Sequence, residues 1–111
     1  MMRTMSLLFS LALLAPAAAW AQTDAARGEK VYVAQKCATC HSIAGKGNQK
    51  GPLDEVGSKL SADEIRQWIV DAPAMTAKTK AVRKPPMRAY ANIAKDDLEA
   101  LVVYVQSLKK K

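Results

Sequence analysis

A chain of 111 residues with a formal charge of +7 has room for one small domain and excludes a multidomain architecture within this sequence. The lysines are dispersed and aromatics make up only 5% of the residues, which argues against a nucleic-acid surface and favours acidic partners, although such a charge also serves solubility alone. Two cysteines and one histidine exclude a disulfide framework and any site built from several imidazoles.

The first predicted element is a leader. Arg3 supplies a positive charge, Ser6 to Ala18 is almost wholly apolar, and Ala19-Trp20-Ala21 offers small residues where a signal peptidase reads. The apolar run has about 13 residues, short of the roughly 20 that a membrane-crossing helix needs. Residues 1–21 are therefore expected to be a cleaved secretory signal peptide, the alternative being an uncleaved anchor. Residues 22–111 would form the mature domain, periplasmic and without a stable membrane span. A domain this small usually needs a staple. Cys37 and Cys40 would close too short a loop to supply one, so another group is expected to fill the middle.

From about residue 25 the segment AARGEKVYVAQK predicts a helix running into Cys37. Gly28 inside it costs about 1 kcal/mol relative to Ala and points to the close approach of another element. GKGNQKG, residues 45–51, reads as a flexible surface loop, and after Gly51-Pro52-Leu53 a short turn leads to Leu60. Ser61 and Glu64 form a capping box for a helix carrying Ile65, Trp68 and Ile69, which Asp71-Ala72-Pro73 should stop. Residues 73–92 show no period and predict an ordered loop stiffened by Pro85 and Pro86. Asp96 and Glu99 could form a second capping box. Leu98, Leu101, Val102, Val105 and Leu108 then carry a helical rhythm that closes on Lys109 to Lys111, cations suited to the negative end of the helix dipole. With no hairpin signal and no internal repeat, the expected fold class is all-α.

The chemistry sits in CATCH, residues 37–41. Cys37, Cys40 and His41 stand at i, i+3 and i+4, so at a helix end all three can project from one face. A structural zinc site wants four ligands, and this sequence has no further Cys or His to complete a Cys/His set. A redox disulfide of the thioredoxin kind expects a βαβ context, which is missing. Two thiols able to add to the vinyl groups of one porphyrin, with an imidazole beneath its iron, fit haem attachment. For the second axial position the remaining soft ligands after the leader are Met75 and Met87. Met87, in the stiff stretch KPPMRAY, is the better placed, because a stiff loop lowers the entropy cost of holding a weak thioether bond.

Together these residues resemble the small class I cytochromes c of bacterial type, over nearly all of the mature chain. Gly28 and Tyr32 resemble the family's glycine and aromatic on the N-terminal helix, and Tyr104 the aromatic on the C-terminal helix that it crosses. GPLDEVGSKL resembles the segment whose proline carbonyl accepts a hydrogen bond from the proximal histidine, which would make Pro52 the partner of His41. PPMRAY resembles the methionine loop, with Arg88 a departure where many relatives have proline or a small residue. The resemblance implies three to four helices wrapped around one covalently attached haem c. It also implies a mono-haem electron carrier, not an enzyme, with His41 and Met87 on the iron. The alternatives are a dedicated cytochrome subunit of a larger dehydrogenase or oxidase, and a haem sensor or peroxidase-like protein with a labile methionine. Redox partners with acidic docking surfaces would meet Lys36, Lys46, Lys50, Lys78, Lys80, Arg83 and Lys84, unless these are scattered solvated charges. Trp68 reads as a core residue, with a bond from its indole to a haem propionate as the alternative.

Overall fold

The computed structural model describes residues 17–111. The expected leader lies outside the described residues up to position 16. Its last positions form the first turns of α1 (Ala17–Ala34), which is continuous across the anticipated cleavage point. After α1 come a 3-10 turn (Cys37–Thr39), β1 (Ser42–Ile43) and β2 (Lys46–Gly47). Then follow α2 (Val56–Lys59), α3 (Ala62–Val70), α4 (Ala72–Thr79) and α5 (Lys95–Gln106). The fold is helical, as the sequence predicts, with one minimal hairpin.

The architecture is organised by the crossing of α1 and α5. An ideal Cβ at Gly28 would lie 2.6 Å from the Tyr104 Cβ and closer still to the Ala100 carbonyl oxygen, so only glycine allows this approach. One turn further on, Tyr32 meets Tyr104 edge to face, with centroids 5.9 Å apart and planes at 71°. Val31 and Tyr32 from α1 pack with Leu101, Val102 and Val105 from α5 and with Ile65 and Ile69 from α3. Burying each large aliphatic of this set is worth about 1.5–3 kcal/mol. Ser61 and Glu64 form the expected capping box at the start of α3. Two arginines fasten α5 from outside the core. Arg27 reaches Asp97, and Arg66 forks onto both carboxylate oxygens of Glu99 at 2.8 and 2.7 Å.

Four local expectations need correction. Residues 72–79 are a helix, not loop, because Pro73 stands in the first turn of α4, where a missing N–H costs nothing and its fixed φ suits the helix. Residues 42–47 form a hairpin, because Ala44 and Gly45 both take positive φ, 52° and 78°, the pairing that closes a two-residue turn. The stretch leading to Leu60 contains the short helix α2, held to the C-terminus through the Gly57 amide donating to the Leu108 carbonyl at 2.7 Å. Asp96 with Glu99 makes no capping box. The helix begins at Lys95 with Ala94 as its cap residue, and Glu99 is taken by Arg66.

Two outcomes follow from this packing. Gly28→Ala should cost about 1–3 kcal/mol or more, because neither the Ala100 carbonyl nor the Tyr104 Cβ, fixed to its helix, can yield cheaply, and denaturant unfolding of the wild type and variant checks it. The Glu99 carboxyl is held below its ordinary 4.5 first by the bond from Arg66, with desolvation opposing and the Arg66 charge assisting. The unfolded chain therefore takes up this proton before the folded one does. The contribution is complete above about pH 4.5 and is lost as pH falls through the depressed folded value. Glu99→Gln should cost at most about 1 kcal/mol at neutral pH, as for an exposed pair, and its deficit should vanish in acid; a deficit that persists there would refute the assignment.

Candidate functional site

The site begins where α1 ends. Lys36 takes the left-handed conformation, with φ 58° and ψ 36°, and turns the chain out of the helix before Cys37. The expected helix into Cys37 thus stops at Ala34, and the motif forms its own turn. The Cys37 carbonyl accepts from the amides of Cys40 at 3.1 Å and His41 at 3.0 Å, which keeps the three residues on one tight turn. Cys37 is half-buried, Cys40 is exposed, and both thiols are free. Burial pushes the Cys37 thiol up and Cys40 acts the same way, while its own backbone opposes them, so this sulfur is held as a neutral thiol.

The hairpin folds back beneath that turn. The Asn48 amide donates to the His41 carbonyl at 2.9 Å and is shared with the Ala38 carbonyl at 3.1 Å, while its side chain donates to the Thr39 carbonyl at 3.2 Å. Gly47, at φ 105°, lies so close to the His41 carbonyl that no side chain would fit. The segment read as a flexible loop therefore braces the motif.

His41 Nδ1 lies 3.1 Å from the Gly51 carbonyl and not from that of Pro52, which corrects the expected partner by one residue. The reason is the parallel bridge between Ser42 and Pro52. Ser42 donates to the Gly51 carbonyl at 3.1 Å and accepts from the Leu53 amide at 2.9 Å, so it straddles Pro52. The straddled residue directs its own backbone groups away, a position that suits a residue with no N–H. Since a carbonyl can only accept, His41 Nδ1 is the donor and Nε2 keeps its lone pair. Burial lowers the His41 pKa below 6.5; the Gly51 carbonyl opposes this and the Arg83 charge adds to it. The ring is therefore neutral near pH 7, the form that ligates a metal.

Gly51 has a second role. A Cβ there would meet the Cys40 carbonyl and the Arg83 guanidinium, and Arg83 Nη2 donates to that same carbonyl across 43 residues of sequence. Arg83, expected only as part of a basic ring, is thus joined to the motif. Lys46 on the hairpin and Lys50 in the turn before Gly51 bring further exposed charge close to the motif in sequence. Of the two methionines, Met75 is buried in α4 at 5% exposure, whereas Met87 is half-buried in the loop before α5. Trp68 is half-buried on α3. A cleft of about 390 Å3 opens between Gln35 and residues 88–93, directly after Met87.

These residues fit a covalently held haem. Two unpaired thiols and an imidazole with one free lone pair occupy a single turn, the donor set such a group requires. Among the described residues the Tyr32 hydroxyl is a buried polar atom without a partner. Its pKa is pushed up to about 12 by burial first, then by Cys37, Tyr104 and Asp54. A buried hydroxyl beside Cys37 with its bond unmade is what an absent neighbour leaves behind.

The family model for cytochrome c matches residues 25–109. Among relatives, the chain is 35% identical to the cbb3-type cytochrome c oxidase subunit FixP of Bradyrhizobium diazoefficiens, over 77% of this chain and 28% of that protein. It is 27% identical to cytochrome c oxidase subunit 2 of Alkalihalophilus pseudofirmus, over 79% of this chain and 27% of that protein. The chain thus spans little more than a quarter of the length of either relative. No solved structure matches significantly.

The corrected hydrogen bond separates two neighbouring substitutions. Pro52→Ala should leave the His41 Nδ1–H to Gly51 bond in place, whereas Gly51→Ala should displace the Cys40 carbonyl and weaken it. Nitrogen-15 NMR of the imidazole ring reads the tautomer and bond directly. Loss of the bond in Pro52→Ala alone would restore the proline as acceptor.

Proposed function

The chain belongs to the cytochrome c family, and on that premise we propose that it is an exported, soluble mono-haem c-type cytochrome that passes single electrons between redox partners. It is a carrier in this reading and not an enzyme. The observation that carries it is the single turn presenting Cys37, Cys40 and a neutral His41 whose Nδ1 is fixed by the Gly51 carbonyl. Bound haem c supplies a one-electron iron couple, and thioether ligation raises its potential above that of a bis-histidine haem.

The chain's own residues do the rest. The thiols of Cys37 and Cys40 would tether the group, and His41 Nε2 would bind its iron. Met87 would be the second iron ligand, since Met75 is buried in α4 and Met87 is carried on the loop tied to the motif through Arg83. Held by both residues, the iron would be closed to oxygen and peroxide. The exported, periplasmic location rests on the leader, and among the described residues no helix is long and apolar enough to cross a membrane. Lys46 on the hairpin and Lys50 in the turn after it support a docking face for acidic partners around the motif.

A second reading is a cytochrome subunit or module of a terminal oxidase, favoured by the names of both relatives. Co-purification with a partner complex at physiological salt would select it over the free carrier.

The experiment is the visible spectrum of the purified protein, oxidised and reduced, with and without carbon monoxide. Sharp low-spin bands indifferent to the gas are expected. Met87→Ala should lower the midpoint potential and open the reduced iron to carbon monoxide, whereas Met75→Ala should keep the spectrum and lose stability, by about 2–5 kcal/mol for a buried methionine. The opposite pattern would transfer the ligand role to Met75.

A further inference from the structure

The segment between α4 and α5, residues 81–94, is held at two points that bracket Met87. After it, the Tyr90 amide donates to the Ile69 carbonyl at the end of α3, 2.8 Å away, and the Arg88 guanidinium stacks over the Tyr90 ring at 5.2 Å. Before it, Arg83 donates to the Cys40 carbonyl and its guanidinium fills the space a side chain at Gly51 would need. Among the described residues this is the hydrogen bond that joins the first half of the segment to the motif. Its acceptor belongs to the residue directly before His41. Its neighbour Gly51 carries the carbonyl that fixes the imidazole. Both faces of one small region, the turn and the loop that returns to it, are thus joined through a single guanidinium.

We propose that Arg83 is the positioning residue that sets the Met87 loop against the CATCH turn. This rests on the reading of Met87 as the second axial ligand. A thioether is a weak ligand, and the freedom of its loop when unbound sets how readily it yields to a competitor. With both ties made, Met87 sits four residues after one anchor and three before the other. Without Arg83 the free span runs back to Ala81, whose amide donates to the Thr76 carbonyl at 3.1 Å, and the entropy lost on ligation rises with it. Arg83 suits the task because its planar fork can donate to a carbonyl while the rest of the guanidinium occupies the space beside a glycine; a lysine ammonium is a compact point charge. The absence of a side chain at Gly51 makes that space available.

The test is the affinity of the oxidised holoprotein for added imidazole, which competes with Met87, measured in wild type, Arg83→Gln, Met87→Ala and the double variant. Arg83→Gln should bind imidazole about tenfold more tightly than wild type. In the Met87→Ala background the same change should have no effect, because there is no thioether left to position. Amide hydrogen exchange should quicken across residues 81–87 in Arg83→Gln while α1 and α5 keep their protection, which separates a loosened loop from general unfolding. An Arg83→Gln protein with unchanged imidazole affinity would overturn the proposal, as would an effect equally large in both backgrounds, which would mean that Arg83 acts on His41 and not on Met87. A Met87→Ala protein that binds imidazole no better than wild type would overturn the prior reading of Met87 itself.

Discussion

The close crossing of α1 over α5 is the constraint on which the rest of the structure depends. Gly28 removes the side chain that would hold the helices apart, and Tyr32 and Tyr104 then meet edge to face one turn beyond. Because only Gln35 and Lys36 separate α1 from the motif, its orientation against α5 sets where Cys37 enters. The same contact buries Tyr32 in the cluster against which Cys37 packs. α3 closes the third side with Ile65 and Ile69, and its C-terminal carbonyl at Ile69 receives the Tyr90 amide. The core therefore positions both flanks of the site, the thiol turn through α1 and the methionine loop through α3.

Within the site the organising atom is the Gly51 carbonyl oxygen. It accepts from the Ser42 amide and from His41 Nδ1, each at 3.1 Å, using the two lone pairs that a carbonyl offers. One acceptor thus closes the backbone bridge and fixes the imidazole tautomer. Pro52 contributes by what it lacks: with no N–H it can occupy the straddled position of the bridge, leaving the residues on either side to make both bonds. A glycine before it lets the Cys40 turn and Arg83 approach, so Gly51-Pro52 works as a unit in which neither residue uses a side-chain polar group.

How much of this was legible in the sequence follows from the range of each signal. The helical rhythm of α5, the capping box at Ser61 and the glycine at the helix crossing are local patterns with local causes, and they read correctly. CATCH is visible in the sequence as a fixed spacing, and the structure places its three residues on one turn. Pro73 reads correctly in the stop of α3 but not as the start of α4, because proline suits both places and only the burial of Ala72 and Met75 shows that a helix resumes. The hairpin was missed since Ala44 is an unusual residue for positive φ. Its amide is held by the Asp54 carboxylate at 2.6 Å, a partner the local sequence does not announce. Arg83 was the least legible of all. Its bond to Cys40 spans 43 residues, and no periodicity or motif relates the two.

The cations divide according to their chemistry. Arg27, Arg66 and Arg83 are spent inside the fold, two on carboxylates of α5 and one on the Cys40 carbonyl, where a planar fork makes more than one directed contact. Lys36, Lys46, Lys50, Lys78, Lys80 and Lys84 are all exposed, and each is a hydrated point charge on a flexible stem. The field of such charges is screened within a Debye length of about 8 Å at physiological salt, whereas the buried packing of α1, α3 and α5 is indifferent to it. In the proposed reading salt would therefore weaken docking while leaving the site intact, because the arginines that tie the fold and the exposed lysines are different residues.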